Sequence, residues 1–360
     1  MKTPFHRRRR AVVSLLRETK ASCLLITNPA NWYYLTGFTG ESGALLVSQK
    51  GTGLVTDGRF MVQAHEEATG IRVRQQKGSL FESVGQYVKD SHFSQVGFDP
   101  SQLTVSQLQS VRGATGGRSQ WLPVPGMVET LRMRKDAAEI AQMRKAAILA
   151  GEVMQRGIRF LKPGIRELDA AAEIEYQMRK LGASGPAFET IVAFGERAAL
   201  PHARPTSKRL RKNELVVLDL GVILGHYCSD ITRTAFVGRA TRRIRTWYQA
   251  VLEAQTAAIA AAKNGASCGD VDAAARQVLK GYRLGHLFVH STGHGLGLEV
   301  HEDPKLARGQ KRHLEPGNVI TIEPGVYEEG IGGIRIEDDV VVHADRTEVL
   351  TRAPRDLIEI

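Results

Sequence analysis

The chain contains 360 residues, which at about 150 residues per domain suggests two domains. Hydrophobic residues make up 42% and charged residues 24%, a composition typical of a soluble globular protein rather than of a collagen-like or disordered chain. No uninterrupted apolar run reaches the ~20 residues that a membrane-spanning helix needs, so no membrane partner is expected.

The chain is basic, because 49 Lys and Arg residues against 38 Asp and Glu residues give a net charge of +11. Only the run His6–Arg10 is dense, and it is typical of the solvated start of a helix. A polyanion-binding arm is the alternative, but nucleic acid is not expected as the partner. Arg17, Glu18 and Lys20 interrupt the following apolar stretch, so the sequence predicts no signal peptide and a cytoplasmic protein.

The cysteine pattern indicates neither a disulfide framework nor a zinc or redox site, because three scattered cysteines contain no CxxC pair. Buried free thiols are expected at Cys23, Cys228 and Cys268.

The first third of the chain alternates strand and helix patterns, which favours an α/β layer. The sequence predicts strands at 22–27, 44–47 and 71–74 and helices at 60–69 and 79–89. Pro and Gly punctuate Pro123–Gly126. We therefore place an N-terminal domain at residues 1–125, a linker at 126–134 and a second domain at 135–360.

The second domain mixes long helical patterns with strands, which favours an α+β fold. Its predicted helices are 136–155, 167–181, 246–263 and 270–280. Its predicted strands are 215–220, 231–237, 319–323 and 334–342.

Acidic side chains interrupt two of these apolar strands. Asp219 and Asp230 fall opposite one another if the strands form a hairpin that turns at Leu224–Gly225. Cross-strand partners have Cβ atoms roughly 5 Å apart. Two carboxylates so close need a cation or a shared proton.

Further acceptors follow in the same domain. Glu323 ends an apolar strand, His294 lies in a glycine-rich segment, and Glu337 shares a predicted strand face with Arg335. The four carboxylates carry a charge of −4, which two divalent cations would neutralise. Oxygen ligands with one imidazole suit Mn²⁺, Co²⁺ or Zn²⁺. Two such ions about 3.5–4 Å apart can share and acidify a water molecule.

Other motif interpretations fail on spacing. The segment Gly293–Gly297 lacks the spacing and the βαβ unit of a dinucleotide fingerprint. His290 and His294 are four residues apart but lack the glutamate of the zinc-protease helix, and no phosphate-binding loop ending in GK[ST] is present.

The ordered series Asp219, Asp230, His294, Glu323 and Glu337, in its local contexts, resembles the M24 "pita-bread" metallopeptidases. The N-terminal segments Tyr34–Gly40 and Thr56–Arg59 resemble the creatinase-type N-terminal domain. The resemblance implies an α/β N-terminal domain followed by an α+β catalytic domain, an antiparallel sheet flanked by helices. It points to the branch of Xaa-Pro aminopeptidases and Xaa-Pro dipeptidases (prolidases), and it implies a homodimer.

The resemblance also implies roles for individual residues. Asp219 would bind one ion, Asp230 and Glu337 would bridge two, and His294 and Glu323 would bind the other. Glu323 would act as general base in hydrolysis by a hydroxide that bridges the two ions. The implied substrate residues, of which His202 and His301 would also assist catalysis, are His202, His290, His301, Tyr327 and Arg335.

Three functions remain open at this stage. We expect an aminopeptidase that cleaves before proline, with a proline-containing peptide as substrate and Mn²⁺ as the first choice of metal. The alternative is a dipeptidase, which must recognise the free carboxylate of its substrate and has Arg308 or Arg312 available for this. The alternative from a different class is a pita-bread protein without metal, acting as a binding module or as a creatine-type amidinohydrolase.

Overall fold

The structure is a computed structural model that describes residues 4–360. It contains two compact units, of which the first ends at Arg132 and the second spans Met133–Ile360. Among the described residues, no helix combines the length and the apolar composition needed to cross a membrane.

The first unit is a mixed sheet with helices. Its helices are α1 (Pro4–Leu16), α2 (Pro29–Thr36), α3 (Met61–Glu67), α4 (Leu80–Asp90), α5 (Val105–Thr115) and α6 (Met127–Arg132). Its strands are β1 (Cys23–Ile26), β2 (Ala44–Ser48), β3 (Gly51–Thr56), β4 (Arg72–Gln75), β5 (Gln95–Phe98) and β6 (Gln120–Pro123). They form one sheet in the order β4-β3-β2-β1-β5-β6.

Local sequence explains where several of these elements begin. Asn28 caps α2 by accepting from the backbone N–H of Asn31, and Pro29 fits the first turn, where no N–H is needed. Ser79 and Glu82 form a capping box at the start of α4. Residues 126–134, which the sequence suggested as a linker, contain α6, and the division between the units follows this helix.

The second unit contains longer helices and many short strands. Its helices are α7 (Ala137–Phe160), α8 (Glu167–Lys180), α9 (Arg242–Ala261) and α10 (Cys268–Gly281). Its first strands are β7 (Gly185–Pro186), β8 (Ile191–Phe194), β9 (Leu215–Leu220), β10 (Val222–Leu224), β11 (Tyr227–Cys228), β12 (Ile231–Phe236) and β13 (Gly293–Gly295). The others are β14 (Glu302–Leu306), β15 (Val319–Ile322), β16 (Gly325–Glu328), β17 (Gly332–Arg335), β18 (Asp338–Val342), β19 (Thr347–Val349) and β20 (Ile358–Glu359).

These strands form mainly antiparallel sheets. The orders are β20-β12-β9-β8 and β14-β13-β15-β18-β19, with smaller sheets β11-β10-β7 and β16-β17. Only β12 and β20 pair in parallel among the described strands of this unit. Strand β9 is buried on both faces: Val217 packs in a cluster with α9 and α10, and Val216 packs in a cluster with α7 and α8. This double burial explains the continuous apolar run that Asp219 interrupts.

The prediction of one strand over residues 334–342 is wrong. The structure has two strands there, β17 and β18, which belong to different sheets. Ile336 and Glu337 lie between them, where the chain leaves one sheet for the other. The side chain of Glu337 is therefore placed by this junction and not by strand alternation.

Candidate metal centre

The five residues predicted as metal ligands line one cavity of about 260 Å³. Asp219 lies in β9, Asp230 between β11 and β12, His294 in β13, Glu323 directly after β15, and Glu337 between β17 and β18. The ligands thus come from segments that are distant in sequence and share only this cavity.

The predicted hairpin is present, but its register differs from the prediction. Gly225 and His226 form the turn with positive φ angles of 54° and 72°, as two-residue hairpin loops favour. This turn places Asp219 opposite Thr232 rather than opposite Asp230. Asp230 lies two residues before Thr232, so the two aspartates are diagonal neighbours that both reach the cavity.

His294 faces the carboxylates through one ring nitrogen. Its Nδ1 lies 3.0 Å from the carbonyl oxygen of Gly295 and donates to it, because a carbonyl can only accept. Its Nε2 lies 3.5 Å from Glu323 Oε1 and 3.8 Å from Asp230 Oδ2. Ligand atoms of Asp230, His294 and Glu337 all lie within 4.8 Å of one another. Because Nδ1 carries the hydrogen, Nε2 carries the lone pair, which faces these carboxylates and could bind a metal ion.

The electrostatics of the cavity favour bound cations. Burial raises the pKa of Asp230 and Glu337 well above the usual range for carboxyls, and raises the pKa of Glu323 to about 8. Burial lowers the pKa of His294 to about 4, so its ring is neutral near pH 7.

Unpartnered oxygens give a direct test of whether a metal fits. Asp219 Oδ1 and Asp230 Oδ1 are buried and accept no hydrogen bond, although buried polar atoms in folded proteins are nearly always paired. A neutral imidazole and four carboxylates form a donor set suited to hard or borderline divalent ions. The residues present therefore fit divalent metal.

Thr232 and Arg335 form a chain of hydrogen bonds that connects the predicted ligands Glu337 and Asp219. Thr232 Oγ1 donates to Glu337 Oε2 over 2.6 Å and accepts from Arg335 Nε over 3.0 Å. Arg335 Nη2 lies 2.6 Å from Asp219 Oδ2. Arg335 and Glu337 therefore converge, as the sequence predicted, but through Thr232 rather than through one shared strand.

The residues predicted to contact substrate fall into two groups. His202 and His301 line the cavity, and the ring of His301 packs edge-on against His294 with centroids 4.4 Å apart. His290, Tyr327 and Arg335 are not among the described residues that line it. Their substrate role stays a prediction.

The second group, His290, Tyr327 and Arg335, forms a chain of hydrogen bonds that ends on Asp219. Arg335 Nη1 donates to the Tyr327 hydroxyl over 2.7 Å, and that hydroxyl lies 2.9 Å from His290 Nε2. Burial raises the pKa of Tyr327 to about 12 and lowers the pKa of His290 to about 4. Both rings are therefore neutral near pH 7.

Residues that sequence analysis missed hold the ligand backbone in place. Asp339 Oδ2 accepts the backbone N–H of Asp230 over 3.1 Å. The buried Arg233 pairs with Asp338 at 2.8 Å and donates to the carbonyl oxygen of Glu337 over 2.6 Å. The available signal was the run of three acids at positions 337–339, which leads into an otherwise apolar strand.

A second missed pair lies on α10. Asp272 is buried and pairs with Arg276 at 2.7 Å. Its Oδ1 accepts from Thr292 Oγ1 over 2.9 Å, while Arg276 Nη2 donates to the carbonyl oxygen of His290 over 2.5 Å. Thr292 in turn accepts the backbone N–H of Glu323 over 2.8 Å. The pair therefore anchors the segment that leads to His294.

Comparison with known proteins defines the class. The family model for metallopeptidase family M24 matches residues 141–344, and that for the creatinase/prolidase N-terminal domain matches residues 8–134. The chain belongs to metallopeptidase family M24. The family, the two-part fold and the metallopeptidase class expected from sequence are confirmed.

The similar proteins include both Xaa-Pro dipeptidases and an X-Pro aminopeptidase. The chain is 35% identical to an Xaa-Pro dipeptidase from Pyrococcus furiosus over 347 residues, covering 96% of this chain and 98% of that protein. The structure of an Xaa-Pro dipeptidase from Bacillus anthracis matches with a TM-score of 0.95 and 37% identity, covering 99% and 100% of the two chains. An X-Pro aminopeptidase from Thermotoga maritima matches with a TM-score of 0.88 and 34% identity, covering 96% and 99%.

Proposed function

We propose that this chain is an Xaa-Pro dipeptidase (prolidase), which hydrolyses the bond between an N-terminal residue and a C-terminal proline. The observation that carries the proposal is the convergence of His294, the buried Asp219, Asp230 and Glu337, and the partly buried Glu323 on one cavity. The named dipeptidase relatives support this specificity over the aminopeptidase that we expected first. An Xaa-Pro aminopeptidase remains the second candidate, supported by the similarity to the Thermotoga maritima enzyme.

The metal ligands are proposed as Asp219 on one ion, His294 and Glu323 on the other, and Asp230 and Glu337 on both. Mn²⁺ is the proposed ion, with Co²⁺ and Zn²⁺ as alternatives. The chemistry that such ions supply is polarisation of a carbonyl group and acidification of water.

The chain's own groups handle the protons. Glu323 lies on the cavity wall, where a carboxylate oxygen can take a proton from water and return it to the proline nitrogen as the bond breaks. Burial lowers the pKa of His301, so the ring stays neutral near pH 7 and can donate a hydrogen bond to the carbonyl oxygen as negative charge develops there. His202 lines the same cavity and is proposed to assist in binding this oxygen.

This arrangement suits bonds before proline. The scissile nitrogen of an Xaa-Pro bond carries no hydrogen, so a protease that binds substrate through that N–H cannot hold it. The groups of this cavity act instead on the carbonyl and on the nitrogen lone pair, which proline retains.

Hydrolysis of an Ala-Pro dipeptide and an Ala-Pro-Ala tripeptide tests the proposal. Both are assayed after chelation and again after Mn²⁺ or Co²⁺ is restored. We expect metal-dependent cleavage with preference for the dipeptide, whereas preference for the tripeptide would select the aminopeptidase. Salt-sensitive binding to nucleic acid without metal uptake would favour a non-catalytic binding module.

The remaining assignments are also proposals. We place the domains at residues 1–125 and 135–360, and we propose a homodimer in the cytoplasm. Light scattering of the purified chain tests the homodimer, and cell fractionation tests the cytoplasmic location. A monomer at assay concentration would contradict the dimer.

A further inference from the structure

A second cavity, of about 870 Å³, lies beside α10. None of the described residues that line it also lines the catalytic cavity. One wall is the exposed face of α10, and the other is the loop that follows β14. This α10 cleft is lined by Ala273, Arg276, Gln277, Lys280, Gly281 and Arg308, among others.

The α10 cleft carries an uncompensated positive charge. Its described lining contains three cationic side chains, those of Arg276, Lys280 and Arg308, and one carboxylate, that of Asp272, which gives a net charge of +2. Arg276 pairs with Asp272 at 2.7 Å, and the Asp272 side chain is only 1% exposed. The net charge therefore resides on Lys280 and Arg308, which are both exposed.

The donors of these two side chains are not used within the protein. Neither Lys280 nor Arg308 forms a side-chain hydrogen bond or an ion pair in the part of the chain that the structure describes. The exposed Gln277 lies three residues before Lys280, on the same face of α10. Hydrogen bonds from cationic donors to anionic oxygens are about twice as strong as neutral ones, so these groups favour an anionic ligand.

We propose that the α10 cleft binds a small polar ligand that carries two phosphate groups, such as a sugar bisphosphate. The inference is independent of the proposed function, because it uses no residue of the catalytic cavity. Two phosphate groups match the two free cations, one on each wall of the cleft. The ligand is polar because no aromatic or large aliphatic residue is among the described residues of the lining, so nothing there stacks on a base or binds an apolar group.

The cleft has room for such a ligand next to both cations. A Cβ atom added at Gly281 or at Gly309 would meet no atom within 4 Å. Gly309 has a φ angle of 72°, which allows the chain to turn directly after Arg308. Small-molecule sites have volumes of about 300–1,000 Å³, and the volume of this cleft falls in that range.

Arg276 adds a positive group that is already held in place. Its guanidinium donates to the carbonyl oxygens of Phe288 over 3.1 Å and of His290 over 2.5 Å, in addition to its pair with Asp272. A group fixed by its own protein contacts loses little freedom when a ligand binds beside it. Lys280 follows four residues later, so the two cations are neighbours on one helix face.

The expectation that Arg308 or Arg312 binds the carboxylate of a dipeptide finds no geometric support. Neither is among the described residues that line the catalytic cavity. Arg308 lines the α10 cleft instead, and Arg312 contacts Met133.

Calorimetric titration of the full-length, Mn²⁺-loaded protein with fructose 1,6-bisphosphate tests the proposal. We expect the bisphosphate to bind and fructose, the uncharged comparison, not to bind. Lys280→Gln and Arg308→Gln should each raise Kd about 3- to 10-fold, as loss of one exposed charged hydrogen bond predicts. Gly281→Glu places a carboxylate in the open space of the cleft and should also weaken binding.

Two matched variants control for the change in net charge. Gly113→Glu adds the same charge near the end of α5, where a Cβ atom also meets no atom within 4 Å, and Lys263→Gln removes an exposed lysine that follows α9. Both should bind the bisphosphate as the wild type does, and thermal unfolding verifies the fold of each variant. Equal binding in all variants would indicate an adventitious ion only, or binding at the metal centre, and would overturn the proposal. Absence of binding by the wild type would overturn it as well.

Discussion

Removing divalent metal is expected to destabilise this protein more strongly at pH 9 than at pH 6. Without cations, burial raises the pKa values of Asp230, Glu323 and Glu337. A group whose pKa rises on folding contributes its full stability below the unfolded pKa and loses it as the pH rises through the folded pKa. The chelated protein should therefore lose stability as the pH rises from about 4.5 to 8.

The magnitude follows from Glu323. Its pKa rises from 4.5 to about 8 through burial, which at about 1.4 kcal/mol per pH unit corresponds to roughly 5 kcal/mol in total. About 3 kcal/mol of this is lost between pH 6 and pH 9. For a unit of the size of Met133–Ile360, this change lowers Tm by roughly 6 to 12 °C.

The assay is thermal unfolding of the full chain at both pH values, with chelator and with excess Mn²⁺. We expect a fall in Tm from pH 6 to pH 9 only in the chelated protein, because bound cations keep the carboxylates ionised at both pH values. Glu323→Gln should remove much of this fall, and the exposed Glu329→Gln serves as control. Equal pH dependence with and without metal would refute the reasoning.

Three other predictions follow from the same network. Glu323→Gln in the metal-loaded protein should lower kcat for Ala-Pro by about 10²- to 10⁴-fold, because no carboxylate remains there to carry the proton; steady-state kinetics measure this. Asp272→Asn should lower kcat with metal content unchanged, because the segment around Thr292 loses a charged hydrogen-bond acceptor. Steady-state kinetics and metal analysis of the variant and the wild type measure the two quantities. Arg233→Met should cost about 3–5 kcal/mol in urea unfolding, because the buried Asp338 loses its 2.8 Å ion pair and keeps only Gln255 and, 3.9 Å away, Arg355.

Each of these predictions has its own contradicting result. Retention of wild-type kcat in Glu323→Gln would remove this residue from proton transfer. Loss of metal from Asp272→Asn would contradict the prediction and show that this anchor is needed to hold the ligand His294. If Arg233→Met combined with Asp338→Leu were no more stable than Arg233→Met alone, loss of the main ion-pair partner of the buried Asp338 would not explain the cost.

The metal ligands could be predicted because they violate the local apolar pattern. An aspartate in the doubly buried β9, or a glutamate at the end of β15, has no structural reason in its own strand. Alternation and propensity also located the long helices of the second unit and the longer buried strands such as β9 and β12, but fewer than half of the described strands. These acidic residues stand out in the sequence because they occupy strand positions where packing alone would favour an apolar side chain.

Register and long-range contacts could not be predicted in this way. The offset of Asp219 from Asp230 depends on which two residues form the turn, and the break after β17 depends on which sheet each half joins. Arg233 looks like an ordinary surface arginine in sequence. Its partners are identified only when distant segments meet, so no local pattern marks it.

The spacing of the ligands along the chain has a consequence for how the protein is made. The first ligand, Asp219, lies in β9, and the last, Glu337, lies at a junction that forms only when β17 and β18 have joined their separate sheets. A cation therefore finds its full set of ligands late in synthesis, after most of the second unit has left the ribosome. Until Glu337 has been made, at most four of the five proposed ligands exist, so a cation can bind the complete set only after the strands on both sides of Glu337 are available.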